Sequence, residues 1–137
     1  MIVRPALLAL MLAAGSVAAG DLTVTVSDIR VQTGQLKIAV IGSAEGWEGK
    51  AKPAAVDAAP AAGTQATFRF ADLPPGAYAV QVMHDENDNG KLDTNFVGMP
   101  IEGYGFSNNP PVMRKPTWDE ARFELTADGA TLVVHLR

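Results

Sequence analysis

The sequence predicts an all-β protein, an antiparallel β-sandwich of immunoglobulin-like or prealbumin-like type with about seven strands, one long ordered loop and a short helical turn. Six segments alternate apolar and polar residues, which is typical of strands with one face in a core. Turn residues separate these segments at short intervals, and there is no heptad pattern or internal repeat. The absence of cysteine excludes disulfides, thiolate zinc sites and cysteine nucleophiles.

The first 19 residues have the three-part layout of a secretory signal peptide. Arg4 supplies a positive charge, residues 6–14 are apolar, and Val17-Ala18-Ala19 is a small-residue cleavage site. The sequence therefore predicts a signal peptide at 1–19, a single domain at 20–137, and export to the periplasm or the extracellular space. Because the apolar run is too short for a permanent span and no second one follows, no transmembrane segment is expected after cleavage.

The predicted mature chain is acidic, which bears on its partners. It keeps all 15 acidic residues and 10 of the 11 basic ones, so its formal charge is −5. Nucleic-acid binding needs a basic surface, and we therefore expect no nucleic-acid partner.

The alternating segments define the strands in chain order: 22–26, 36–40, 66–70, 78–82, 123–125 and 132–136, with a weaker seventh near 54–58. The turn signals at 33–34 and 127–129 predict hairpins between neighbouring strands. Two prolines at 73–76 separate the strands on either side. The apolar positions predict one core that contains Val24, Val26, Ile38, Val40, Phe68, Phe70, Tyr78, Val80, Val82, Phe123, Leu125, Leu132 and Val134.

Residues 85–116 contain no convincing strand, which is long for a connection in a small domain. Its apolar residues predict that this loop is ordered and folds back on the sandwich. At its end, Thr117 followed three residues later by Glu120 predicts a capping box and one short helical turn.

The residues 68–80, FRFADLPPGAYAV, resemble the strand–turn–strand of prealbumin-like and carboxypeptidase-regulatory-like modules. The continuation is more specific: HDEN at 84–87, NGKLDTN at 89–95, GMP at 98–100, EGYGFSNN at 102–109 and DEARF at 119–123. Together these motifs closely resemble a bacterial family catalogued only as domain of unknown function 2141. The resemblance implies an exported β-sandwich and carries no activity, ligand or catalytic residue.

Residues 85–95 predict a candidate calcium site. Asp85, Asn87, Asn89 and Asp93 stand at positions 1, 3, 5 and 9 of an EF-hand-type loop, with Gly90 at position 6. The backbone carbonyl of Lys91 would add a ligand. Position 12 is Phe96, so the usual closing carboxylate is missing, and Asn95 or Glu102 would have to replace it.

Turn chemistry explains the same residues equally well. Asp and Asn side chains accept hydrogen bonds from nearby backbone amides, and glycine supplies positive φ. The sequence leaves both interpretations open.

Two further candidate sites are weaker. His84, at the end of a predicted strand, is either a metal ligand or general base beside Asp85, or a histidine at the core edge that bonds a backbone group. Residues 103–109 form either a ligand-contact loop, through Tyr104, Phe106, Asn108 and Asn109, or a plug for the open end of the sandwich.

The sequence thus predicts an exported binding or structural module whose partner is a protein or glycan at the cell envelope, with calcium as its candidate cofactor. No catalytic residues are assigned. The alternative is a small periplasmic hydrolase that uses His84 with carboxylates of the loop.

Overall fold

The computed structural model describes residues 18–137, so the predicted signal peptide lies almost wholly outside the described residues. These residues form eight strands and two single-turn helices. In chain order they are β1 (Gly20–Ser27), β2 (Gln35–Ile41), α1 (Ala44–Trp47), β3 (Ala55–Pro60), β4 (Gln65–Leu73), β5 (Gly76–Asp85), β6 (Tyr104–Phe106), α2 (Trp118–Ala121), β7 (Phe123–Leu125) and β8 (Ala130–His135).

The strands form two sheets, which confirms the predicted all-β sandwich. The three-stranded sheet has the order β4-β1-β8, and the five-stranded sheet has the order β3-β2-β5-β6, with β7 also paired to β5. β6 pairs with residues 81–83 of β5 and β7 with residues 76–78. The pairing of β1 with β8 is parallel, whereas the others are antiparallel.

The two predicted hairpins are wrong. β1 pairs with β4 and β8, while β2 lies in the other sheet, so residues 28–34 cross between sheets. In the same way β7 pairs with β5 and β8 with β1, so the turn at 127–129 also joins the two sheets. The turn residues correctly mark where the chain reverses, but a reversal does not determine whether the next strand pairs or crosses over.

The main core fills the space between the sheets, as the alternation predicts. Every residue predicted for this core is in it, although Phe123 and Leu132 are only partly buried at its margin. The same inward face continues to His84, which is fully buried at the end of β5.

A second, smaller cluster lies on the outer face of the five-stranded sheet. Ile41 and Ala79 face outward from β2 and β5, and Trp47 of α1 and Ala121 of α2 pack with them. The Trp47 indole donates to the Pro116 carbonyl at 2.8 Å, which ties α1 to the segment before α2. This cluster covers only one end of the outer face.

The predicted helical turn is present as α2. Thr117 Oγ1 accepts from the Glu120 N–H, and the Glu120 carboxylate accepts from the Thr117 N–H, which completes the predicted capping box. The weaker strand predicted near 54–58 is also present, as β3.

The prediction that residues 85–116 contain no strand is wrong at one place, because β6 lies within them. Gly105 at its centre reads as a loop residue. A Cβ there would lie 2.6 Å from Val134 Cγ1, so glycine is required by close packing against β8. In the part of the chain that the structure describes, no helix is long and apolar enough to cross a membrane.

Candidate functional site

The loop that follows β5 is built around the buried carboxylate of Asp85. Its Oδ1 accepts from the Asn89 N–H at 3.1 Å, and its Oδ2 accepts from the Gly90 N–H at 2.7 Å and from Lys37 Nζ at 3.2 Å. Burial opposes ionisation, but the hydrogen bonds from Gly90, Lys37 and Asn89 outweigh it and hold the pKa of Asp85 below its usual value. Asp85 therefore acts as an ionised cap on the turn.

Three more of the predicted ligands converge beyond that turn. The Asp93 carboxylate accepts from Asn87 Nδ2 at 2.5 Å and from Asn89 Nδ2 at 2.8 Å. Hydrogen bonds from Asn89 and Asn87 lower the pKa of Asp93. The Lys91 N–H donates to Asn89 Oδ1 at 3.0 Å, so the side chains and the backbone of the turn form one network.

Glu102 and Asn95, which the sequence suggested as closing ligands, bond to backbone amides. The buried Glu102 carboxylate accepts from the Glu86 N–H and the Asp93 N–H, both at 2.6 Å, and so holds the two ends of the loop together. Asn95 Oδ1 accepts from the Val97 N–H and the Met99 N–H in the next turn.

The fit of this loop to calcium is partial. Calcium prefers six to eight oxygen ligands. The side chains of Asn87, Asn89 and Asp93 meet at one place, where both amides present their nitrogens to the Asp93 carboxylate. Asp85 Oδ2 already has two donors, however, and among residues 18–137 no three His, Asp or Glu side chains lie close enough to hold a metal. The geometry by itself matches the turn-chemistry interpretation.

His84 is enclosed between the core and this loop. Its Nε2 lies 2.7 Å from the Thr33 carbonyl oxygen. Within residues 18–137 its Nδ1 has no hydrogen-bond partner, and the carboxylate oxygen Glu86 Oε1 is 3.9 Å away and already hydrogen-bonded to Arg30 Nε. This is the geometry of a core-edge histidine that satisfies a backbone carbonyl.

A groove of about 880 Å³ lies on the part of the outer sheet face that the Trp47 cluster leaves open. Its floor consists of two rows of outward-facing residues across four neighbouring strands: Ala39, Val56, Gln81 and Phe106 in one row, and Lys37, Ala58, Met83 and Tyr104 in the other. The walls come from two segments of the long loop, with Leu92, Met99 and Pro100 from one and Met113, Arg114 and Lys115 from the other.

An indication of this groove is present in the sequence, in the outward-facing positions of the strands. Outward positions of strands are expected to be polar, yet Ala39, Val56, Ala58 and Met83 are small or apolar. Val56, Met99 and Met113 are also among the exposed large hydrophobic residues. Apolar residues gathered on one exposed face are typical of an interaction site.

The four residues of the predicted ligand-contact loop divide into two pairs. Tyr104 and Phe106 line the groove, with their rings edge to face at 5.9 Å. The amides of Asn108 and Asn109 bond to backbone groups: Asn108 Nδ2 donates to the carbonyl of Arg122, and Asn109 Nδ2 to that of Val133. Their role in this arrangement is to attach the end of β6 to its neighbours.

Ser107, between these pairs, is fully buried. Its hydroxyl accepts from the Val80 N–H at 2.9 Å and donates to the Ala121 carbonyl at 2.5 Å, which joins β5 to α2.

The charges that line the groove differ in sign from the charge of the chain as a whole. Of the residues that the structure describes, Lys37, Arg114 and Lys115 line it, against the single carboxylate of Asp57. Lys37 pairs with Asp85, and Arg114 pairs with Glu120 at 2.6 Å. Lys115 Nζ instead donates to the Trp47 carbonyl at 2.7 Å and lies 4.6 Å from the centre of the Trp47 ring, so its charge is held by neutral groups.

Comparison with known proteins gives a family and no activity. The chain belongs to the family described as uncharacterized proteins conserved in bacteria, domain of unknown function 2141, whose model matches residues 24–133. This confirms the family resemblance read from the motifs, while the likeness to prealbumin-like modules stays a prediction. No curated protein and no solved structure matches the chain.

Proposed function

We propose that this protein, a member of a family with no assigned activity, is an exported β-sandwich binding module. Its ligand site is the groove on the outer face of the five-stranded sheet. The observation that carries the proposal is the groove itself, an apolar concavity with a few cationic groups at its walls. Its volume of about 880 Å³ falls in the usual range of small-molecule sites, roughly 300–1,000 Å³.

The separation of the groove from the main core supports this proposal. Apart from Ile38 and Val82, the residues that line the groove lie outside the main core, which the inward side chains of both sheets fill. Tyr104 and Phe106 offer ring faces and edges, and Met83, Met99 and Met113 offer flexible thioethers that adapt to a ligand. A protein or glycan partner at the cell envelope would use the same surface through its apolar portion.

The geometry gives the alternative, a hydrolase based on His84, less support. A general base needs hydrogen-bond reach to the substrate, whereas His84 is fully buried and its Nε2 faces the Thr33 carbonyl. The exposed His135 uses one nitrogen, Nδ1, toward both Ser27 Oγ and Asp28 Oδ2, while a catalytic triad uses both ring nitrogens.

We also propose calcium as the ion that organises residues 85–95. The supporting observation is the meeting of Asn87, Asn89 and Asp93 at one place. Rotation of the two amides would direct their oxygens, instead of their nitrogens, toward a cation beside the Asp93 carboxylate. An ion there would stiffen the segment that supplies Leu92 and Met99 to the groove wall.

Export remains part of the proposal, and it rests on the sequence of residues 1–19. N-terminal sequencing of the protein from its native host should find a mature chain that begins at Gly20 or Asp21. A product that starts at Met1 would contradict export.

The groove is tested with Nile red, a neutral dye whose fluorescence rises in apolar surroundings. We expect saturable one-to-one binding to the mature protein and strong loss of binding in Val56→Glu, because a carboxylate would enter the apolar floor. Val133→Glu is the matched control, since Val133 is an exposed strand valine outside the groove. Equal binding by both variants, or no binding by the unmodified protein, would overturn the proposed site.

The ion is tested separately by thermal melting with calcium and with chelator. Calcium at 100 times its dissociation constant should add about 2.7 kcal/mol, which raises the melting temperature of a domain of this size by several degrees. Asp93→Asn should remove this response, whereas Asp128→Asn, in the β7–β8 turn, should keep it. Superimposable melting curves in calcium and chelator would refute the calcium site and leave the turn chemistry.

A further inference from the structure

We propose that the ligand of the groove is a single-chain anionic amphipath, an alkyl chain that carries a carboxylate or a similar small anion, with Lys115 as the residue that pairs with the anion. This inference rests on the proposed function, because it assigns the chemical class of ligand to the same groove. It follows from the shape of the groove, the composition of its floor and the charges at its walls.

The floor and one wall suit an alkyl chain. Ala39 and Ala58 leave space between the larger side chains, and Met83, Met99 and Tyr104 provide apolar surface along that space. The groove has the volume of a small-molecule site, so it accommodates one chain more readily than a macromolecular surface. Linear aliphatic ligands need such apolar contact and few directional bonds.

The charges favour an anion over a cation. The predicted mature chain has a formal charge of −5, whereas the described residues line the groove with three cationic side chains and one carboxylate. A local excess of positive charge on an acidic protein is complementary to an anionic ligand and repels a cationic one.

Lys115 is the cation best placed to receive the anion. Lys37 and Arg114 already pair with carboxylates, Asp85 and Glu120. Lys115 is fixed by the carbonyl and the ring of Trp47 and has no carboxylate partner among the described residues, so its remaining ammonium protons are available. Because Trp47 packs edge to face on Phe106, at 5.8 Å, the ammonium is fixed beside the aromatic side of the groove floor.

This arrangement orients the ligand. The anion would lie against Lys115 near Phe106, and the chain would run across the floor past Met83 and Tyr104 toward the wall formed by Leu92 and Met99. Lys37 lies inside the second row of the floor, between Ala58 and Met83, and its bond to Asp85 keeps its charge partly neutralised. It therefore competes less well than Lys115 for the anion.

The experiment measures displacement of Nile red by three dodecyl amphipaths that share one chain and differ in charge: dodecanoate, dodecyltrimethylammonium and a neutral oligoethylene glycol dodecyl ether. All are used below their micelle concentrations, in calcium-free buffer because calcium precipitates long-chain carboxylates. A charge-assisted hydrogen bond is worth roughly tenfold or more in affinity, so we expect dodecanoate to bind at least about tenfold more tightly than the cationic amphipath.

Lys115→Gln should weaken dodecanoate by roughly tenfold, the equivalent of one charge-assisted bond, and leave the neutral ether unchanged. Unchanged binding of the ether also shows that the variant keeps a folded groove. Lys50→Gln is the matched control, because it removes the same charge at an exposed lysine paired with Glu48 outside the groove. It should leave all three affinities unchanged.

The outcomes separate this inference from the proposed function. If Nile red binds but the three amphipaths displace it equally, or none displaces it, or Lys115→Gln has no selective effect, the anionic class is wrong and the apolar site stands. If Nile red itself does not bind, the groove is not a ligand site and both proposals are overturned.

Discussion

The two faces of the five-stranded sheet contrast sharply, although the same strands form both. On the inner face Leu36 and Val80 are fully buried against the three-stranded sheet. On the outer face Gln81 and Met83 are partly accessible, and among residues 18–137 the buried cluster on this face is the Trp47 cluster at one end. A period of two assigns residues to both faces in the same way. The two faces differ because one is covered by another sheet and most of the other is not.

This difference suggests that the inner face serves stability and the open outer face serves binding. The inner face is a continuous apolar layer in the main core, whereas the open part of the outer face carries exposed apolar residues such as Val56 and Met113. The small side chains Ala39 and Ala58 lie where larger residues would fill the groove. Substitutions on the inner face should therefore reduce stability, and those on the open outer face should mainly change binding.

The largest effect is expected for Leu36→Ala on the inner face. Removal of a fully buried leucine side chain should lower the free energy of unfolding by about 2–5 kcal/mol, because the sheets cannot close over the cavity. Gln81→Ala, on the outer face of the adjacent strand, should change it by less than about 0.5 kcal/mol. Urea unfolding measures both, and similar losses would mean that the two faces are not distinct in energy.

A smaller effect is expected at the layer that covers one end of the outer face. Thr117→Ala removes the capping oxygen of α2 and should cost about 1 kcal/mol, within the usual range for an N-cap. Thr131→Ala, at an exposed position of β8, is the control and should be nearly neutral. If Thr117→Ala is also neutral, α2 contributes little to the covered end.

Sequence reasoning predicted the inner face more completely than the outer face. Alternation identified the core residues because burial between two sheets imposes a period of two on each strand. It could not assign partners to the strands, so both hairpins were wrong and the parallel β1–β8 pair was not foreseen. β6 was not predicted because glycine at position 105 is typical of a loop. Glycine is required there because of the close contact with Val134, which only the tertiary structure reveals.

The candidate sites show a similar limit. Residues 85–95 were recognisable because all of the candidate ligands are local in sequence, and the structure brings Asn87, Asn89 and Asp93 together. The groove was not recognised, since its lining comes from four strands and two loop segments that are far apart in the chain. The sequence predicted Asn108 as a ligand contact because it is an amide close to two aromatic residues. In the structure its side-chain amide donates to the Glu120 and Arg122 carbonyls instead.

Acid should weaken the ion pair between Arg114, on the groove wall, and Glu120. The Arg114 guanidinium, together with the Thr117 N–H, lowers the pKa of Glu120 to about 2 from a usual value of 4.5. Since the folded-state pKa is the lower one, the contribution of Glu120 to stability is fully present above pH 4.5 and is lost as the pH falls toward 2.

Glu120→Gln should therefore reduce the loss of stability between pH 4.5 and pH 2, measured by urea unfolding across that range. Glu124→Gln makes the same change of charge at an exposed strand residue and serves as the control. An identical pH dependence in Glu120→Gln and in the unmodified protein would contradict the proposed pairing of Glu120 with Arg114.

The smallest effect on stability is expected for Met113→Gln, which tests the exposed wall of the groove on the outer face. Met113 lines the groove but is 80% exposed, so its replacement should change the free energy of unfolding by less than about 0.5 kcal/mol. The same change places a polar amide on the groove wall and should weaken Nile red binding measurably. Val133→Gln, at an exposed position outside the groove, should affect neither quantity. A loss of stability in Met113→Gln without a loss of dye binding would reverse the assignment, because the wall would then belong to the packed layer of the fold and not to a surface open to a ligand.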